Sequence, residues 1–156
     1  GADWAAKIAE TTWKVGGNIW TNIAKQPATQ AYQNEIVNPV TTNTTDNATT
    51  YSAKVGLMYV SDYGFAAEPS AWTANLITYN GEAIKNVNWM YMGLYEWTIS
   101  RTAGNSNGAF FVDYAGYVNF SYAVTNAYGV RPVFYLSSSV NYVSGSGIAA
   151  DPIVVN

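Results

Sequence analysis

The stretch NWMYMGLYEWTISRTAGNSNGAFFVDYAGYVNFSYAVTNAYGVRPVFYL, running from Asn88 to Leu136, decides how the chain is read. Its β-branched and aromatic runs, separated by Gly and Asn, predict strands at Tyr95 to Ser100, Ala109 to Asp113, Tyr117 to Ser121 and Val130 to Leu136, with a loop over Thr102 to Gly108. The second and third of these pair as a hairpin across Tyr114-Ala115-Gly116. A period of two then puts Phe110, Val112, Val118, Phe120 and Val124 on an inner face, and Phe111, Asp113, Tyr117, Asn119 and Ser121 on an outer one. A solvated face more often carries Lys, Glu, Thr and Arg. This one offers rigid rings beside adaptable hydrogen-bonding groups, the composition of a recognition surface. The rival reading has the same rings packing under the loops Thr102 to Gly108 and Ala123 to Tyr128.

Upstream, Ala2 to Glu10 has Trp4, Ala5 and Ile8 at helical spacing. Thr12 to Val15, Gly16-Gly17 and Asn18 to Trp20 read as a hairpin with a two-residue turn. Pro27 opens a helix reaching about Val37, with Ala31, Tyr32 and Ile36 inward, and Pro39 prevents its continuation. Thr41 to Thr50 is a solvated loop rich in Asx and Thr turns. Lys54 to Val60 reads as a strand, and Ser61-Asp62 cap a short helix that ends before Pro69. Trp72 to Tyr79 is ambiguous between strand and irregular chain, Asn80-Gly81 marks a turn, and Pro152 to Val155 is a closing strand. The expected fold is therefore α+β, with two short helices, small antiparallel sheets and long loops in one domain spanning residues 1–156.

Composition limits the chemistry. The 156 residues include no His and no Cys, so the near-neutral base, the thiolate and the soft metal ligand are all missing. Ten acidic and seven basic residues remain, and no motif gives them the spacing of a Ser-Lys pair, a carboxylate pair or a calcium loop. A non-catalytic role follows as the expectation, with no cofactor. With 49% hydrophobic and 15% aromatic residues the chain can bury a real core. At 11% charged residues and a net charge of -3 it has no basic footprint for nucleic acid or an anionic membrane. No run approaches the roughly 18 apolar residues of a membrane span. A neutral polar surface without cysteine fits an exported, extracellular bacterial protein.

Individual residues divide between binding and structure. Arg131, inside an apolar strand, is expected to hold a structural ion pair with Glu96. The alternative, Glu96 as a general acid, needs a second placed carboxylate. Trp13, Trp20, Trp72, Trp89 and Trp97 are assigned mostly to the core, with Trp72 the most exposed. Arg101 and Asn105, at the mouth of the Asn-Ser-Asn loop, join the binding face. Loop oxygens near Asp46, Asp62 or Asp151 are candidates for a structural calcium ion.

Three segments carry a family resemblance: Val55 to Ala67 (VGLMYVSDYGFAA), Gly93 to Thr98 (GLYEWT), and Phe110 to Gly116 with Tyr128-Gly129-Val130-Arg131-Pro132. In order and spacing, over about half the chain, they resemble the C-type-lectin-like fold, in the branch of formylglycine-generating enzymes and the variable proteins of diversity-generating retroelements. The chain is also similar to pilin-linked surface ectodomains of gut Firmicutes. That resemblance implies display on a bacterial surface or pilus, with residues 1–10 as the stump of an anchoring helix. The resemblance to the variable proteins of retroelements implies a ligand face at Phe111, Asp113, Tyr114, Tyr117, Asn119, Ser121, Tyr122, Asn126 and Tyr128 that takes an unidentified protein or glycan, while Trp97 is assigned to structure. The cysteine pair of formylglycine-generating chemistry is absent, as are the Glu-Pro-Asn, Gln-Pro-Asp and Trp-Asn-Asp signatures of calcium-dependent sugar binding. A structural pilus or surface-layer subunit is the alternative reading, and a carboxylate hydrolase is the third.

Overall fold

A computed structural model of the chain describes residues 2–39, 49–103, 105–121 and 125–156. In chain order its first half holds α1 (Ala2–Lys7), β1 (Thr11–Lys14), β2 (Gly17–Asn18), α2 (Ala28–Tyr32) continued by a π-helical segment (Gln33–Val37), β3 (Thr50–Ala53), β4 (Gly56–Leu57), α3 (Val60–Phe65) and α4 (Glu82–Lys85). The second half is β5 (Glu96–Thr102), β6 (Ala109–Val112), β7 (Val118–Ser121), β8 (Gly129–Val130), β9 (Pro132–Val133), β10 (Tyr142–Ser144) and β11 (Val154–Val155). The architecture is mixed α+β, and the described residues hold four short α-helices where two were expected. Among the described residues no helix is long and apolar enough to cross a membrane.

β5 organises the sheet. On one edge it pairs antiparallel with β6, which pairs with β7 in the expected register, Val112 opposite Val118, Phe111 opposite Asn119 and Phe110 opposite Phe120. Gly116 makes that hairpin possible, because its φ of 98° lies where a side chain would be strained. Along the other edge of β5 lie β8 at Glu96 and Trp97, the Met58 carbonyl bonded to the Ile99 amide (2.9 Å), and β2 at Arg101 and Thr102. Both β2 and β8 run parallel to β5, so the sheet is not purely antiparallel as expected.

The hairpin expected at Gly16-Gly17 is replaced by long-range pairing. β1 joins β3, and β2 joins β5. The physical reason is at Gly17, where a Cβ would sit 2.9 Å from the Ala103 Cα. The glycine serves close backbone approach rather than a turn. The single strand expected over Val130 to Leu136 is split into β8 and β9 around Arg131, and the one expected over Lys54 to Val60 is reduced to β4. Trp72 to Tyr79 is irregular with one short 3₁₀ turn at Leu76–Thr78. Thr50 belongs to β3, whereas residues 41–48 of the expected loop lie outside the described residues. Residues 7–9 and 135–137 are stitched together, Ala9 donating to the Tyr135 carbonyl (2.9 Å) and Ser137 to that of Lys7 (2.7 Å).

The core lies between the helices and the inner face of β6 and β7. Ile23, Ala31, Met58, Val60, Tyr63, Leu76, Tyr79, Phe110 and Val118 are fully buried there, each large apolar side chain contributing about 1.5–3 kcal/mol. Tyr63 donates to the Gly116 carbonyl (2.6 Å), which ties α3 to the hairpin turn. Burial pushes the Tyr79 phenol up to about 12, and raises that of Tyr63 further.

One helix face departs from expectation. Tyr32 is 38% exposed, while Asn34 and Glu35 turn inward. The π segment carries these two residues to the core side. Glu35 is held there by partners: its carboxylate accepts from the Val60 (3.2 Å) and Ser61 (2.9 Å) amides at the start of α3, and from the Ser100 hydroxyl. Asp62 accepts from the Tyr59 amide (2.8 Å), so these two acids satisfy three amides around the start of α3. Burial raises the Glu35 carboxyl above its ordinary range, opposed first by the Ser100 hydrogen bond.

Candidate functional site

Along β5 the burial alternates. Glu96, Thr98, Ser100 and Thr102 face inward, and Trp97, Ile99 and Arg101 face the other way. Trp97 therefore stands beside its register partner Phe111 on β6, which faces Asn119 on β7. Rings from three places converge on this face. Tyr95 stacks on Tyr128 (centroids 4.8 Å apart, 16° between planes), and Trp97 lies 4.7 Å from Tyr128. Phe111 meets Tyr95, Trp97 and Tyr128 at 5.8, 5.9 and 5.1 Å, and Tyr114 lies 5.3 Å from Tyr95. Such offset and edge-on pairs add about 0.5–1.5 kcal/mol each beyond their burial.

This layer corrects two assignments. Phe111 is 5% exposed and Asp113 is 3% exposed, so neither is an outward contact. Phe111 lies beneath the Tyr95, Trp97 and Tyr128 rings. Asp113 serves its own turn, its carboxylate accepting from the Ala115 amide (2.8 Å) and its amide donating to the Tyr117 carbonyl (2.8 Å). Tyr114, 57% exposed, and Tyr95, 37% exposed, are the open rings. Tyr117, Asn119, Ser121, Asn126 and Tyr128 are half-buried, and Tyr122, like Val124, lies outside the described residues.

Polar groups fix the rings in place. The Trp97 indole donates to the Asn126 carbonyl (3.3 Å), and the Asn126 amide donates to the Ser121 and Tyr128 hydroxyls, each at 3.3 Å. Partial desolvation, then the Asp113 carboxylate and the neighbouring phenols, raise the Tyr95 phenol. Arg101 is spent partly on structure, its Nε donating to the Val15 carbonyl (3.1 Å). Asn105 accepts from the Asn107 amide (3.1 Å) within its own loop.

Beneath the face, Arg131 grips Glu96 with two parallel bonds (Nε to Oε1 2.9 Å, Nη2 to Oε2 2.8 Å) and also donates to the Met90 carbonyl (2.7 Å). Both Glu96 oxygens are thus occupied by the guanidinium. Among the described residues no group of three or more acids gathers to hold a cation; Asp62 caps α3, Asp151 accepts from the Ser146 amide (2.9 Å), and Asp46 lies outside them.

Tyr95 was missed as a surface ring, although the alternation that exposes Trp97 and Arg101 on β5 also places Tyr95 with them. Among the tryptophans the most exposed is Trp89, at 78%, not Trp72, whose indole donates to the Ala67 carbonyl (2.8 Å) and packs on Phe65. Fold and site together define an α+β protein presenting a tyrosine-covered sheet face. Compared with models of protein families, with curated proteins and with solved structures, the chain matches none of them.

Proposed function

We propose that this chain is a non-catalytic, C-type-lectin-like binding domain, displayed on a bacterial surface or pilus, that takes a protein or glycan ligand on the tyrosine face. One observation carries the reading: rings drawn from β5, the hairpin turn and the segment before β8 meet on one face, with Tyr95 and Tyr114 left open and half-buried amides and hydroxyls around them. Rigid rings supply contact area at low entropic cost, and the Asn and Ser groups set orientation. The lectin-like assignment draws support from the Glu96–Arg131 pair, which joins the Gly-Leu-Tyr-Glu-Trp and Gly-Val-Arg elements that carry the resemblance. The same pair argues against Glu96 as a general acid, since its carboxylate is already engaged.

The test is a screen of the purified chain on arrayed glycans and on bacterial and host surface proteins, repeated with Tyr95 and Tyr114 both changed to Ala. Retained melting temperature with binding weakened about tenfold or more supports the face. Unchanged binding by the double variant rejects it. Gene copies from one population add a second readout: variation gathered at Tyr114, Tyr117, Asn119, Ser121 and Asn126, with Phe111 and Asp113 fixed, marks a diversified face.

The structural-subunit reading keeps a place because of a separate observation. Trp89, Met92, Leu94, Val130 and Phe134 are exposed, and the ribbon of β10 and β11 exposes Tyr142, Val143 and Val154. Surfaces of this kind are commonly covered by a neighbour. Concentration-dependent assembly in sedimentation would favour that reading, and a monomer at all concentrations would remove it.

A further inference from the structure

Away from the tyrosine face, α3, the Trp89-Met90 turn and the segment after Arg131 enclose a cleft of about 350 Å³. Met58 and Met90 form its buried floor, Phe65 and Trp89 its walls, and Asp62 and Tyr135 its polar end. The rim is held by backbone and amide bonds. Trp89 donates to the Ala66 carbonyl (3.2 Å), Met90 to the Asn88 side chain (2.9 Å), and Asn88 to the Tyr63 carbonyl (2.9 Å). Arg131 binds the Met90 carbonyl from below. The turn is fixed in this way, and the indole it carries is left 78% exposed.

Asp62 is the singular group. One carboxylate oxygen caps α3 through the Tyr59 amide, and no described Lys or Arg pairs with the residue, the cations nearest to acids being Lys85 on Glu82 and Arg131 on Glu96. Among the described residues the titratable groups that feel its charge are the Tyr59 and Tyr135 phenols, and Glu35 acts on Tyr59 as well. Every one is neutral or negative. Burial raises the Asp62 carboxyl, as expected where a charge lacks a counter-ion.

We propose that this cleft binds a small organic ammonium, an amine on a single-ring or branched aliphatic body. The apolar part lies between Trp89 and Phe65 over the two methionines, and the protonated amine meets Asp62. Size, walls and charge each select this class. A volume near 350 Å³ is at the small end of ligand pockets, too small for an oligosaccharide or a folded peptide. Walls of Met, Phe and Trp give sugars and phosphates few hydrogen bonds, and the carboxylate repels anions. An ammonium gains both the missing counter-ion and the face of an indole.

The probe is phenethylammonium, set against its neutral counterpart 2-phenylethanol and the anion phenylacetate, followed by ¹H–¹⁵N spectra of the whole chain with the Trp89 indole assigned through Trp89→Phe. Expected are saturable shifts at the Trp89 indole and Ala66 amide with the ammonium, about fivefold weaker binding of the alcohol, and none of the anion. Asp62→Asn, whose side-chain oxygen can still accept from Tyr59, should abolish the preference for ammonium over alcohol. Should that variant fail to fold, the same comparison on the wild-type chain below and above the Asp62 titration gives the answer: the preference fades as the carboxyl is protonated. Equal response to all three probes, no saturable response, or shifts centred away from Trp89 would each overturn the proposal.

Discussion

The molecule has two aromatic surfaces, and they are built in opposite ways. On the tyrosine face the rings spend themselves on one another: Tyr128 is sandwiched among Tyr95, Trp97 and Phe111, and Tyr95 and Tyr114 are the rings most open to solvent. At the Trp89 cleft the rings surround space and end on a carboxylate that no described Lys or Arg pairs. An aromatic-rich strand is therefore no measure of an open site. What distinguishes the two is whether the backbone brings a second aromatic layer over the first, which the parallel pairing of β8 with β5 does on one side.

Arg131 sits under both surfaces, so its loss is the largest expected effect. Arg131→Ala leaves Glu96 buried without its counter-ion and frees the Met90 carbonyl, and should cost about 3–5 kcal/mol in chemical denaturation. A loss below about 1 kcal/mol would mean the pair is not what joins the two regions. Next comes a contrast within one face. Phe111→Ala should cost about 3 kcal/mol as a core truncation, whereas Tyr114→Ala, at an exposed ring, should stay within about 1 kcal/mol. Equal costs would dissolve the distinction between covered and open rings.

That contrast also marks what could be read from the sequence. The hairpin register was legible because alternation and Gly116 are local signals, and the Arg131–Glu96 pair was legible because a lone cation in an apolar strand requires an acid. The covering of Phe111 stayed open between an outward face and rings packed under the Ala123 to Tyr128 loop, because Tyr95, Trp97 and Tyr128 arrive through tertiary pairing that a period of two does not encode, and the inward turn of Asp113 onto the Ala115 amide was not legible at all. Gly16-Gly17 carried a true glycine signal with two readings, turn or close approach, and only the position of Ala103 separates them. Glu35 was hidden by the π segment, which shifts the helical face by a residue. Trp89 escaped for a similar reason, since its exposure depends on where Asn88 anchors the turn.

The two surfaces should also answer to pH at opposite ends of the scale. Burial raises the Asp62 carboxyl at the cleft, so the folded chain holds a proton that the unfolded chain releases above the ordinary value of 3.8. Stability from this group is present at low pH and declines as pH rises through its folded titration. The stability of the wild type minus that of Asp62→Asn should therefore shrink as pH increases from 3.8 and then level off. On the tyrosine face the raised groups are the Tyr95 and Tyr117 phenols, so the same sign appears only above their ordinary value of 10. A gap that widens with rising pH in the acid range would show that Asp62 is stabilised as the charged form and that the cleft is not short of a cation.

The smallest stability effect belongs to Trp89→Ala, and it bears most directly on the comparison. The indole is 78% exposed, and the turn it sits on is held by the Trp89 amide, the Asn88 side chain and Arg131 rather than by the ring. Truncation should change unfolding free energy by no more than about 0.5 kcal/mol, the usual range for a surface position. Thermal melts of this variant beside Phe111→Ala then compare two large aromatic residues of the same sheet-rich half of the chain, one dispensable to the fold and one not. A loss above about 2 kcal/mol for Trp89→Ala would place the indole in the packing of α3 and close the cleft as an open surface. A near-zero change leaves an exposed ring that the fold does not require, held at the mouth of a cleft the fold does not fill.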